Sequence, residues 1–102
     1  MTPIFVSSEI QINHDLKGQD KVIAICQKLE ADTYINAIGG IEIYHSSAFQ
    51  NKNIKLKFLK AQPYEYAQFG SPFVPWLSIV DVLMFNSHDE VKQLISYGYD
   101  LI

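Results

Sequence analysis

Between residues 20 and 29 the apolar side chains Val22, Cys26 and Leu29, joined by Ile23 and Ile25, recur at helical spacing, while Lys21, Gln27 and Lys28 take the opposite side. Such a stripe commits the segment to an amphipathic helix whose apolar face must be covered by other parts of the chain. Asp20 is the side chain suited to cap it. Candidates for the cover lie on both sides. Upstream, Ile4-Phe5-Val6 is a short β-branched and aromatic run that turns polar at Ser7-Ser8-Glu9, and it reads as a buried strand whose end reaches the surface. Downstream, residues 33–38 read as a second strand, too short for a helix and stopped by Gly39-Gly40. A short helical segment follows over residues 46–51, with Asn53 suited to a left-handed turn. Residues 54–59 then alternate: Ile54, Leu56 and Phe58 face one way, Lys55 and Lys57 the other. One wet face and paired lysines suit an edge strand. Strand, helix, strand, short helix, strand is the order of right-handed parallel crossovers.

The rest of the chain reads as helical. Ser78 followed by Asp81, and Ser87 followed by Glu90, both carry capping-box spacing. They open two C-terminal helices, the second amphipathic through Val91, Leu94 and Ile95. The expected fold class is therefore α/β: a small three-stranded, mainly parallel sheet flanked by helices, with two C-terminal helices. At 102 residues there is room for one domain and one core, so residues 1–102 are expected to form a single domain. Val6, Ile25, Ile35, Phe58, Val80 and Leu83 are its expected core.

Several function classes are disfavoured. No apolar run approaches the ~20 residues of a membrane span, and the start of the chain has neither the basic lead nor the long apolar core of a signal peptide. The single cysteine, Cys26, cannot form an internal disulfide, which fits a reducing cytoplasm. Eight lysines face eleven acidic residues and there is no arginine, the usual residue for bidentate phosphate and guanine contacts, so nucleic acid is not an expected partner. His14, His45 and His88 are scattered without a second ligand at metal spacing, so no metal and no cofactor are expected. Cys26, in a helical apolar stripe, reads as a structural thiol rather than a nucleophile.

Longer motifs point to a family. Thr33-Tyr34-Ile35-Asn36-Ala37-Ile38-Gly39-Gly40 resembles the tyrosine-isoleucine-asparagine and double-glycine signature of WbqC-like proteins. Ile43-Tyr44, Phe49, Ile54-Lys55-Leu56-Lys57-Phe58-Leu59, Glu65-Tyr66, Gln68-Phe69, Phe73-Val74-Pro75 and Leu77 to Asn86 continue the same order. Upstream, Ser7-Ser8-Glu9 and Lys17-Gly18 also fall in place. Three departures stand out: Ala37 where such proteins often carry proline, Glu30 where glycine often ends the helix, and Trp76 where a small polar residue is usual. Members are typically about twice as long, and the similarity is to their C-terminal part, without the characteristic N-terminal half. The resemblance implies a link to bacterial surface-polysaccharide (O-antigen) biosynthesis, including acyl or glycyl transfer to nucleotide-linked amino sugars. Without the N-terminal half, the expectation is a non-catalytic, self-associating module that binds a small polar ligand. The alternative is a transferase acting on a nucleotide-linked amino sugar, and a third reading is an accessory subunit completing a separate N-terminal half.

Two groups of residues are candidates for that function. In open parallel sheets ligands collect beyond the carboxyl ends of the strands. There Ser8, Glu9, Asn36, Gly39 and Gly40 are expected to form a polar pocket, with glycine amides for an anionic group and Glu9 and Asn36 for hydroxyls or an amine. The plainer alternative is that the glycines make a turn and Asn36 caps the next segment. The second group lies in residues 61–76, which hold three of the four prolines and five of the thirteen aromatics. A loop so composed is packed or functional. Tyr64, Tyr66, Phe69, Phe73 and Trp76 either roof the core or form an exposed interface patch, the expected contact of a homodimer.

Overall fold

The computed structural model describes residues 1–70 and 72–102. Its elements are α1 (Gly18–Lys28), β1 (Thr33–Ala37), α2 (Ser46–Gln50), β2 (Lys55–Ala61), α3 (Ile79–Phe85), α4 (His88–Tyr97) and β3 (Tyr99–Leu101), with single 3-10 turns at Ser7–Glu9 and Ile38–Gly40. The three strands form one mixed sheet in the order β1-β2-β3, with β1 and β2 parallel, so the α/β class and the mainly parallel three-stranded sheet are as expected. By compactness the chain divides into two units, Met1–Phe58 and Leu59–Ile102.

In the first unit the stripe on α1 finds its cover. Ile23 and Cys26 pack with Phe49 of α2 and with Ile54, and Tyr34, Tyr44 and Leu56 close around them half-buried. Two helix ends make this geometry possible. The amides of Glu30 and Ala31 donate to the carbonyls of Gln27 and Cys26 (3.1 and 2.8 Å), and those of Asn53 and Ile54 donate to Gln50 and Phe49 (2.9 and 3.0 Å). These are Schellman closures, which require a left-handed residue just past each helix. Glu30 (φ 56°) and Asn53 (φ 58°) supply it. Asparagine tolerates that conformation, but glutamate is strained in it. Glu30→Gly should therefore raise the stability of this unit by about 0.5–1 kcal/mol, net of the added freedom of the unfolded chain. A higher urea midpoint would show it, and an unchanged or lower midpoint would mean that the glutamate side chain offsets its backbone cost.

The second unit contains the antiparallel pairing Leu59↔Leu101, Lys60↔Asp100 and Ala61↔Tyr99. Ser87 and Glu90 form the expected capping box at the start of α4, and Val91 is the buried residue of that helix. Ser78 caps α3, its hydroxyl accepting from the Val80 amide at 3.2 Å.

Several expectations are corrected. Residues 4–6 form no strand, and Ile4 is 93% exposed, with Phe5 and Val6 also open. A three-residue apolar run carries no periodicity to distinguish a strand from an extended lead-in, and a strand exists only where a neighbour pairs with it. The third strand is instead β3, and it is antiparallel. β2 is therefore central, and Lys55 and Lys57 lie on one face of an inner strand rather than marking an edge. α1 begins at Gly18 rather than at Asp20, which sits in the first turn and complements the helix dipole without capping. Of the expected core only Phe58 is buried; Ile25 is half-buried, and Val6, Ile35, Val80 and Leu83 are exposed.

Candidate functional site

The polar candidates all fall in the first unit, and the structure brings two of them into contact. β1 ends at Ala37 and turns directly into the 3-10 turn Ile38–Gly40, so Asn36 and Gly40 lie close. Gly40 is buried, and a Cβ there would collide with the Asn36 side-chain amide and meet the Tyr44 ring at 3.0 Å. The Gly40 carbonyl accepts from the amides of Ile43 and Tyr44 at 3.0 and 3.1 Å, which folds the chain back over this spot. Gly40 is thus a close-approach glycine, where a side chain would have to displace the Asn36 amide and press on the Tyr44 ring. Gly39 differs: nothing lies within 4 Å of a Cβ built on it.

Ser8 and Glu9 are placed otherwise than the sequence suggested. They sit on an exposed 3-10 turn, closed by the Glu9 amide donating to Val6 at 3.0 Å and the Ile10 amide donating to Ser7 at 3.3 Å. With no strand before them, the topological reason for their meeting Asn36 is gone. Tyr34 lies beside this region; burial, with Tyr44 adding to it, pushes its phenol above the ordinary tyrosine range. Burial likewise raises the Cys26 thiol, so the thiolate needed for attack is disfavoured. His14 and His45 are exposed, and among the described residues no three His, Cys, Asp or Glu side chains converge as metal ligands. No helix is long and apolar enough to cross a membrane.

The aromatic candidates belong to the second unit and sort into two sets. Tyr64 and Tyr66 stack at 5.8 Å, and Phe73 meets Tyr66 edge-on at 5.1 Å. With Trp76 and Glu65 they border a cavity of about 670 Å³ that Val82 also lines. Phe69 is fully exposed and instead packs edge-on against Phe85 at 4.7 Å, beside Val80 and Met84 of α3. The five therefore act neither as one roof nor as one patch.

What holds the loop in this shape is a polar network the sequence did not disclose. The Gln68 side chain both donates to the Val74 carbonyl (3.1 Å) and accepts from the Val74 amide (3.0 Å), acting as a backbone surrogate across the loop. Its amide also donates to Asp81 at 3.0 Å, and the Tyr66 hydroxyl donates to the same Asp81 oxygen. Asp81 is thus the anchor of the loop rather than the second half of a capping box. A carboxylate three residues after a helix-capping serine serves either purpose, so the spacing alone does not distinguish them. Bonding to Asp81 holds the Tyr66 phenol above its ordinary range. Asn86 adds a further tie, accepting from the Tyr64 hydroxyl at 3.5 Å and donating to Val82 at 2.9 Å.

Among known protein families, the model of the WbqC-like protein family matches residues 1–93. Neither the curated proteins nor the solved structures yield a match.

Proposed function

The chain belongs to the WbqC-like protein family, and on that premise we propose that it is a non-catalytic module that pairs with a second copy of itself. In this reading it corresponds to the C-terminal part of the longer family members. It serves bacterial surface-polysaccharide biosynthesis from the cytoplasm and holds a small polar ligand without transforming it. The observation that carries self-association is the state of α3. Its sequence, Ile79-Val80-Asp81-Val82-Leu83-Met84-Phe85, has a single polar residue, yet no residue of the helix is buried. Val80 is 57% and Met84 77% exposed, and Phe69 extends the same apolar face. A continuous apolar face of this kind on a soluble chain is ordinarily an interface. A two-fold pair is the simplest closed arrangement, and a stable one buries roughly 1,200–2,000 Å² in total. Tyr64, Tyr66, Phe73 and Trp76 then serve as its rim rather than its centre.

The polar ligand is proposed to sit at Asn36, Gly39 and Gly40. Support for this comes from the amide of Asn36 lying against Gly40 and from the open face above Gly39.

Sedimentation velocity tests the pairing. At about 50 µM the chain should sediment as a dimer, and Met84→Glu should weaken the dimer roughly 30- to 100-fold by burying a carboxylate in an apolar contact. Met84 is 77% exposed, so the variant should keep its circular dichroism spectrum. A monomeric wild type, or a dimer indifferent to Met84→Glu, would overturn the assignment.

A further inference from the structure

The geometry points to a second binding site, beyond the one proposed above: the aromatic cavity of the second unit takes a small ligand carrying a substituted ammonium group. Tyr64, Tyr66, Phe73 and Trp76 line it together with prolines and aliphatic side chains, and among the described residues that border it Glu65 carries the only charge. Aromatic faces present the negative side of their quadrupole, and several of them around one volume with a carboxylate at the edge is the arrangement that favours an organic cation. Two further carboxylates stand one hydrogen bond behind the wall. Asp81 accepts from Tyr66, and Asp100 accepts from the Gln62 side chain at 3.1 Å. Lys60 lies opposite Asp100 in the β2–β3 ladder and is not a wall residue. No described wall residue offers a cation, so a phosphate or carboxylate ligand would find no partner there. The volume, about 670 Å³, lies within the ordinary range of small-molecule sites.

Trp76 is the second observation. It is held with φ at 57°, a conformation costly for a large aromatic residue, and its indole remains 69% exposed at the cavity rim. Burial within the unit does not explain that strain. A side chain placed there by the surrounding loop and completed by a ligand does. Pro75 and, one residue before it, the Gln68 clamp on Val74 fix the approach of the chain to this residue.

Trp76 is also the only tryptophan, so its fluorescence reports on the cavity directly. The probe is choline, compared with 3,3-dimethylbutan-1-ol, which has the same shape without the charge. Choline should change the emission saturably in the millimolar range, and the neutral probe should require roughly tenfold higher concentration. Glu65→Gln should weaken choline roughly three- to tenfold and leave the neutral probe unaffected; its side chain is exposed, so the fold is not at risk. No saturable change by about 100 mM choline would overturn the site. Equal binding of the two probes would reduce it to an apolar hollow. Choline binding that disappears as the protein concentration rises would assign the cavity to the second copy and overturn the ligand.

Discussion

Phe49→Ala should destabilise the first unit by about 3–5 kcal/mol, the largest effect expected from any single truncation in the chain. Phe49 is fully buried, and its ring stacks on Tyr34 at 5.6 Å and meets Tyr44 edge-on at 6.1 Å, while Tyr34 and Tyr44 meet each other at 5.9 Å. Removing it empties the centre of a three-ring cluster whose other two members are only half-buried. Ile23, Cys26 and Ile54 would line the remaining void. The loss is comparable to a large share of the whole stability of a small domain, ~5–15 kcal/mol. In urea the midpoint should fall by about 1–3 M, followed by far-ultraviolet circular dichroism. The released thiol provides an independent reading. Cys26 should react slowly with a thiol reagent in the wild type and much faster in the variant. A midpoint within error of the wild type would mean that the cluster is not the core of this unit.

Gly98→Ala should lower the melting temperature by roughly 5–20 °C, through the second unit. Gly98 follows α4 with φ at −82°, which any residue adopts, so the cost is not one of backbone conformation. It is steric. A Cβ would stand 2.6 Å from the Leu94 carbonyl oxygen and 3.3 Å from its carbon, and both are backbone atoms of the preceding helical turn. Gly98 cannot simply retreat, because its amide donates to that same Leu94 oxygen at 2.8 Å and its carbonyl accepts from Gln62 at 2.8 Å. Relief requires opening either the last turn of α4 or the entry to the β2–β3 ladder, at about 1–3 kcal/mol. Amide exchange should distinguish the two, with faster exchange at Gly98 in the first case and at Gln62 in the second. A wild-type melt would contradict the close approach.

The helices were the most legible part of this fold, because each is marked by local chemistry. The α1 stripe, the Ser87–Glu90 box and the left-handed Asn53 are all short-range signals, and each appears in the structure as read. The strands were legible only where alternation was long enough, as in β2. Residues 4–6 and 99–101 are equally short runs, and what separates them is a partner: β3 pairs with β2 because Gly98 lets the chain leave α4 beside it. No residue pattern states that. The exposure of Val80 and Leu83 was missed for a related reason, since an apolar helix reads as core whether its cover lies in the same chain or outside it. Two departures from the family pattern, Glu30 and Trp76, coincide with two of the left-handed positions. Of the candidate site, Asn36 and Gly40 were recoverable from their spacing across a strand end. The aromatic cavity was not, because its walls come from residues as far apart as Gln62 and Gly98, and because Gln68 and Asp81 shape it from behind.

Self-association through α3 is the claim on which the functional reading rests, and amide exchange of the α3 backbone at two protein concentrations tests it where it is made. In a lone copy, α3 is a seven-residue helix without a buried side chain, and its amides should exchange quickly. Pairing would cover them. The account predicts that protection of Val82 to Phe85 rises as the concentration increases from about 1 to about 100 µM, while protection of α1, whose cover lies within its own unit, stays constant. Protection of α3 that is the same at both concentrations would contradict it.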